Sequence, residues 1–135
     1  MYQQMIFVNL AVDDLDASKK FFTELGYSIN AQFSDENTAS VVISDAIVAM
    51  LHTKQRYAEF TKKEIADSAK TSEVLLALSS ESREQVDELV EKAVAAGGSV
   101  SGETQDQGFM YGRAFDDPDG HTWEIVWMDP SVVEG

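Results

Sequence analysis

Few side chains in this 135-residue sequence can do chemistry, and they fall into two small groups. Near the middle stands His52, at the end of an apolar run that begins at Ile47. Near the C-terminus stand Arg113, His121 and Glu124, around a final run of β-forming residues. A carboxylate buried in such a run can serve as a general base, with Arg113 or Asn9 as its partner. A structural hydrogen bond or ion pair is an equally good use of Glu124, and both readings stand. For His52, partial exposure at a strand end is the plainer use, against a ligand or catalytic role. His121 directly follows Gly120 and is suited to packing against that turn or capping it.

Composition removes several other chemistries. Cysteine is absent, which excludes disulfides, thiolate metal sites and cysteine nucleophiles and points to the cytoplasm. No glycine-rich phosphate loop, H-E-x-x-H or G-x-S-x-G motif occurs. Lys and Arg number 10 against 24 Asp and Glu, a formal charge of -14. That is the wrong sign for nucleic acid or anionic membrane surfaces, and it favours cations among ligands. No apolar run approaches the roughly 20 residues of a membrane-spanning helix, and no basic segment leads into a signal-peptide core. A soluble chain is therefore expected.

The elements that would position these residues come in two similar rounds. The run 6–12 reads as a strand ending at Asp13-Asp14, and Leu15, Ser18, Phe22 and Leu25 then recur at helical spacing up to Gly26. Short β-like runs follow at 27–33, 39–44 and 47–52. Residues 53–71 are polar and mixed, a connector with room for one helical turn, whose Tyr57, Phe60 and Ile65 could close over a cavity or dock on the surface. The order then restarts with a strand at 73–79. The second helix is opened by Ser82 with Gln85, carries Val86, Leu89, Val90, Ala93 and Val94 on one face and stops at Gly97-Gly98. Further strands are predicted at 99–103, 110–115 and 122–127. In the last, Trp123, Ile125 and Trp127 alternate with Thr122, Glu124 and Val126, so one set packs under helices and the other faces a cavity. Phe109 and Tyr111 lie on the approach to the neighbouring strand, placed for ligand or dimer contacts.

The turn Phe115-Asp116-Asp117-Pro118-Asp119-Gly120-His121 leading to Glu124 gives the pattern F-x-DPDGH-x-x-E, preceded by Tyr111-Gly112-Arg113. Together with Phe7 to Leu15 and the helix end Phe21-Phe22-Thr23-Glu24-Leu25-Gly26-Tyr27, it closely resembles the vicinal-oxygen-chelate superfamily of glyoxalases, bleomycin resistance proteins and extradiol dioxygenases. It looks in particular like the bacterial branch labelled predicted lactoylglutathione lyase. The resemblance covers nearly the whole chain. It implies an α+β fold of paired βαβββ modules forming a curved mixed sheet around a cavity, in a single domain. Module 1 would span about 1–57, the connector about 58–71 and module 2 about 72–130.

The resemblance also implies a divalent metal held from four equivalent strand positions, which fall here on Asn9, Met50, Leu75 and Glu124. Only Glu124 is a standard ligand for a hard or borderline ion, and the Met50 thioether suits soft copper. Residues two apart share a strand face, so a shifted register adds His52, giving two ligands where catalytic zinc takes three. The expectation is a protein that binds a small organic molecule without a metal cofactor. Its ligand contacts would be Asn9, Met50, His52, Phe109, Tyr111, Arg113 and Glu124, and a homodimer is implied by the resemblance. The alternative is a lyase or dioxygenase using Ni, Zn, Mn or Fe on His52 and Glu124. An interaction module with a self-filled cavity is a third reading.

Overall fold

The computed structural model describes residues 2–134. Its chain forms two compact units, Met1–Asp67 and Ser68–Gly135. Both repeat one plan: a strand, a helix, then strands returning beside the first.

In the first unit, β1 (Ile6–Val12) leads into α1 (Leu15–Glu24), followed by β2 (Ser28–Ile29), β3 (Thr38–Val42), β4 (Ile47–Thr53) and the single turn α2 (Lys54–Tyr57). The sheet order is β1-β4-β3-β2. Asp14 caps α1 by accepting from the Ala17 amide at 3.1 Å, which satisfies a donor the helix leaves orphaned. Phe21 and Phe22 of that helix and its C-cap Leu25 are buried, as are Leu10, Val12, Val41, Ala49 and Leu51 of the sheet. The strand expected over 27–33 is cut short. Asn30 takes the Gln32 amide on its side chain, and 31–33 turn into a 3-10 helix, because a local side-chain acceptor competes with the ladder.

In the second unit, β5 (Leu76–Ser79) precedes α3 (Arg83–Ala95), and β6 (Ser99–Val100), β7 (Gln105–Asp106), β8 (Met110–Asp116), β9 (Thr122–Met128) and α4 (Pro130–Glu134) follow. The order β5-β9-β8-β6 repeats that of the first unit, with β7 also on β8. Ser82 caps α3 through the Gln85 amide, as the sequence predicts. The strand expected at 99–103 is cut to β6, with Gly102 at a positive φ beyond it, and β7 is a separate short strand that the sequence does not predict. The one expected from Glu73 begins at Leu76, where its ladder with Trp123 of β9 starts, and Val74 and Leu75 are exposed.

The β8–β9 connection is held by a buried carboxylate. Asp117 Oδ1 accepts from the Asp119 and His121 amides, both at 3.0 Å, and Oδ2 accepts from the Trp123 indole at 3.1 Å. Burial pushes the Asp117 carboxyl above its ordinary range, against the pull of these donors. Gly120 completes the turn at a φ of 88°, and a Cβ there would lie 2.7 Å from the Ser68 carbonyl oxygen. Gly120→Ala therefore combines left-handed strain with a backbone clash. It is expected to cost about 1–3 kcal/mol, read as a lower urea midpoint with an unchanged slope.

Candidate functional site

Register decides which side chains of β8 and β9 meet. Tyr111, Arg113 and Phe115 pair across with Trp127, Ile125 and Trp123, while Gly112, Ala114 and Asp116 pair with Val126, Glu124 and Thr122. β8 and β9 carry the first set on the α3 side, and Gly112, Ala114, Thr122, Glu124 and Val126 of the second, with the stem of Arg113, line a cleft of about 400 Å³. Leu75, Met110, Ala114 and Val126 give that cleft an apolar wall, and Glu103, Gln105, Thr122 and Glu124 give it polar groups. The Glu124 side chain is half-buried, and among the described residues its carboxylate has no hydrogen-bond or salt-bridge partner.

The partners expected for Glu124 are engaged elsewhere. Arg113 contributes to the cleft wall, but its guanidinium donates to Asp87 of α3 at 2.9 Å. Tyr111 donates to the same carboxylate at 2.7 Å, which with Arg113 holds Asp87 below the usual carboxylate range. Phe109 is 41% exposed and does not line the cleft. Beside them, Arg83 grips Asp106 through two bonds of 2.8 and 2.9 Å, donates to the Gly108 carbonyl at 2.9 Å and lies over the Tyr111 and Trp127 rings. That fork holds the Asp106 carboxyl down to about 2. It ties the segment carrying Glu103 and Gln105 to α3.

In the first unit, Asn9, Met50 and His52 share a sheet face, since Asn9 pairs with Met50 and His52 lies two residues on. His52 is not partly exposed at a strand end. It is 3% exposed, with both ring nitrogens bonded. Arg56 Nη1 donates to Thr38 Oγ1 at 3.3 Å, which leaves the hydroxyl hydrogen for His52 Nδ1 at 2.9 Å. The ring's Nε2–H then donates to Asn9 Oδ1 at 2.7 Å, and Asn9 Nδ2 donates to the Phe7 carbonyl. This hydrogen-bond order assigns the neutral Nε2–H tautomer. Phe60 and Tyr57 lie against the ring, with centroids 5.0 and 6.4 Å away. Burial lowers the His52 pKa and the Arg56 charge lowers it further, with Asp35 opposing.

Aligning Met50 with Glu124, their ladder neighbours show why one face is filled and the other hollow. Asn9 corresponds to Ala77, Ser40 to Ala114, Thr38 to Gly112 and His52 to Val126. A hydrogen-bonded network in the first unit is replaced by small apolar residues in the second. The same register corrects the expected position of Leu75, because Ala77 is the residue of β5 opposite Glu124.

The donor set does not fit a hard or borderline divalent ion. Asn9 and Met50 offer one weak neutral oxygen and a thioether, Ala77 offers nothing and Glu124 stands as the single carboxylate. The nitrogens of His52 are already bonded. Among the described residues, no group of three or more His, Cys, Asp or Glu could hold a metal. No helix among them is long and apolar enough to cross a membrane.

Sequence reasoning missed Thr38, Arg56 and Asp35 around His52, because only the β3–β4 pairing brings Thr38 opposite that histidine. It also missed Asp87 as the acceptor for Arg113. Asp87 follows Val86 on α3 and carries no mark in the sequence that it faces β8.

Comparison with known proteins follows the same lines. The family model of the glyoxalase/bleomycin resistance protein/dioxygenase superfamily matches residues 4–125. The chain is 31% identical to a hypothetical protein of S. aureus, with 94% of this chain and 95% of that one covered and a TM-score of 0.77. A glyoxalase-related enzyme from Fulvimarina pelagi is 26% identical, with 93% and 88% covered and a TM-score of 0.78. The fosfomycin resistance protein FosX from Listeria monocytogenes shares the fold at 22% identity, with 94% and 92% covered and a TM-score of 0.66. No curated protein matches the chain in sequence.

Two outcomes follow for His52. Asn9→Leu removes the acceptor of the ring N–H in a part-buried bond and should cost about 0.5–1.5 kcal/mol in urea unfolding. Because the folded state prefers the neutral ring, the unfolded chain binds more protons. The His52 contribution is thus present above its ordinary pKa of 6.5 and is lost as pH falls below it. A proton NMR titration that resolves His52 from His121 should place His52 below 6.5, and a value above it would overturn the assignment.

Proposed function

The chain belongs to the glyoxalase/bleomycin resistance protein/dioxygenase superfamily, and from that premise we propose that it holds a small organic molecule in the cleft of its second unit without a divalent metal. The observation that carries this reading is the lining of that cleft. Met110, Ala114 and Val126 provide apolar contact, and the half-buried Glu124 carboxylate is left without a protein partner. Apolar walls with few polar groups are what small-ligand sites use, the first for affinity and the second for orientation. Glu124 can accept a hydrogen bond or a proton from a bound molecule.

The metal-free part rests on donor chemistry. An ion needing three or four hard or borderline ligands finds one carboxylate at the positions its family relatives would use. Recruiting His52 would break the hydrogen bonds of a buried ring, leaving Thr38 and Asn9 to find new partners.

The second part of the reading is a homodimer. Tyr2, Ile6 and Phe7 expose apolar side chains at and before the edge strand β1, where self-association would bury them.

Metal content decides the first part. Untagged protein, before and after incubation with Ni, Zn, Mn and Fe(II), should retain far less than one ion per chain by mass spectrometry. Near-stoichiometric metal that is lost in Glu124→Gln would overturn the reading. A fluorinated fragment screen by NMR should find ligands that the cavity-filling Gly112→Val variant no longer binds. Sedimentation velocity should give twice the 14.9 kDa chain mass, and a monomer would remove the dimer.

A further inference from the structure

We infer that the cleft of the second unit selects organic cations, taking an amidinium, guanidinium or compact ammonium group between Glu103 and Glu124 with a small apolar body on the Met110–Ala114–Val126 wall. The inference rests on the reading of that cleft as a ligand site and adds the chemical class of its ligand.

Three charged residues line the cleft: Glu103, Arg113 and Glu124. Arg113 does not neutralise the others, because its guanidinium is bonded at 2.9 Å to Asp87, on the side where α3 packs. Asp87 also takes the Tyr111 hydroxyl, so the Arg113 head group is held in place by a shared acceptor. Among the described residues, neither Glu103 nor Glu124 of the cleft lining forms an ion pair.

Their placement comes from different parts of the fold. Glu124 stands on the central strand β9, fixed by ladders to β5 on one side and β8 on the other. Glu103 stands on the segment between β6 and β7. That segment is fastened just beyond by the pairing of Gln105 and Asp106 with Gly112 and Tyr111, and by the two-bonded grip of Arg83 on Asp106. Arg83 thus acts as a positioning residue for the wall that carries Glu103.

A cation entering this cleft meets two carboxylates and makes charge-assisted hydrogen bonds, which are about twice as strong as neutral ones. An anion meets both carboxylates and the field of a chain with a formal charge of -14. The polar remainder, Gln105 and Thr122, can bond to either sign and does not offset this preference. Space for the apolar body is set by Gly112. A Cβ there would sit 3.6 Å from the Ile125 carbonyl oxygen and the Val126 side chain and 3.7 Å from the Met110 sulfur, ordinary contact distances, so a side chain added at Gly112 takes up space against the Met110–Val126 wall.

The test uses three probes of one shape and different charge: benzamidine, benzamide and benzoate. Each is titrated at low salt into the full chain, followed by amide shifts of Gly112, Glu124 and Val126. Benzamidine should shift these amides and bind at least about tenfold more tightly than benzamide, a difference of roughly 1.4 kcal/mol, while benzoate leaves them unmoved. Glu124→Gln and Glu103→Gln should each shrink the benzamidine preference and leave benzamide binding unchanged. Gly112→Val should abolish binding of both probes with the two carboxylates still present. Equal binding of benzamidine and benzamide, with shifts that map to the cleft, would overturn the cation inference and leave the ligand-site reading standing. Stronger binding of benzoate would do the same. Failure of benzamidine to shift the cleft amides at millimolar concentration overturns the inference, and benzamide together with the neutral fragments then decides whether the ligand site falls with it.

Discussion

The second unit hangs on the buried carboxylate of Asp117. One oxygen closes the turn through two backbone amides and the other anchors the Trp123 indole. Those bonds fix where β9 starts relative to β8. Side chains alternate along a strand, so a slip of one residue would send Glu124 towards α3 and Trp123 into the cleft. The position of Glu124 is therefore a consequence of Asp117, although no described hydrogen bond joins them. Gly120 belongs to the same constraint, because the Ser68 carbonyl fills the space where any Cβ would stand.

The two units share a strand order and differ in what they do with one sheet face. Around β4 the face is occupied by Asn9, Thr38 and His52, bonded to one another and overlaid by Phe60 and Tyr57. Around β9 the corresponding positions hold Ala77, Gly112 and Val126, which have no polar group to satisfy and little volume to fill the space. A buried polar group is favourable only when it is bonded, and the buried Thr38 and His52 of the first unit meet that condition. Small residues leave room for a ligand, and the second unit has them. One topology thus carries a hydrogen-bonded network around a buried histidine on one sheet and an open cleft on the other.

The charged groups of the second unit sort by face in the same way. Asp87 collects Tyr111 and Arg113, while Asp106 collects Arg83, and both sets sit with α3. The cations near the cleft are used up in these bonds, and the carboxylates of its lining are not. Affinity for a ligand and its charge preference are set by which partners are already taken, more than by the overall acidity of the chain.

Much of this was legible from residues alone. The helix cap Ser82, the apolar face of α3 at Val86, Val90 and Ala93, though not Val94, which is exposed, the DPDG turn and the alternation of Thr122, Glu124 and Val126 against Trp123 and Ile125 follow from local chemistry and period. What the chain order could not decide was pairing across strands. His52 looked like a half-exposed strand end until β3 brought Thr38 beside it, and Arg113 looked like a partner for Glu124 until the β8 register turned its guanidinium to Asp87. Hydrogen-bond partners between residues far apart in sequence depend on register and facing, which only the folded backbone sets, and in this protein they decide which carboxylate is left free to meet a ligand.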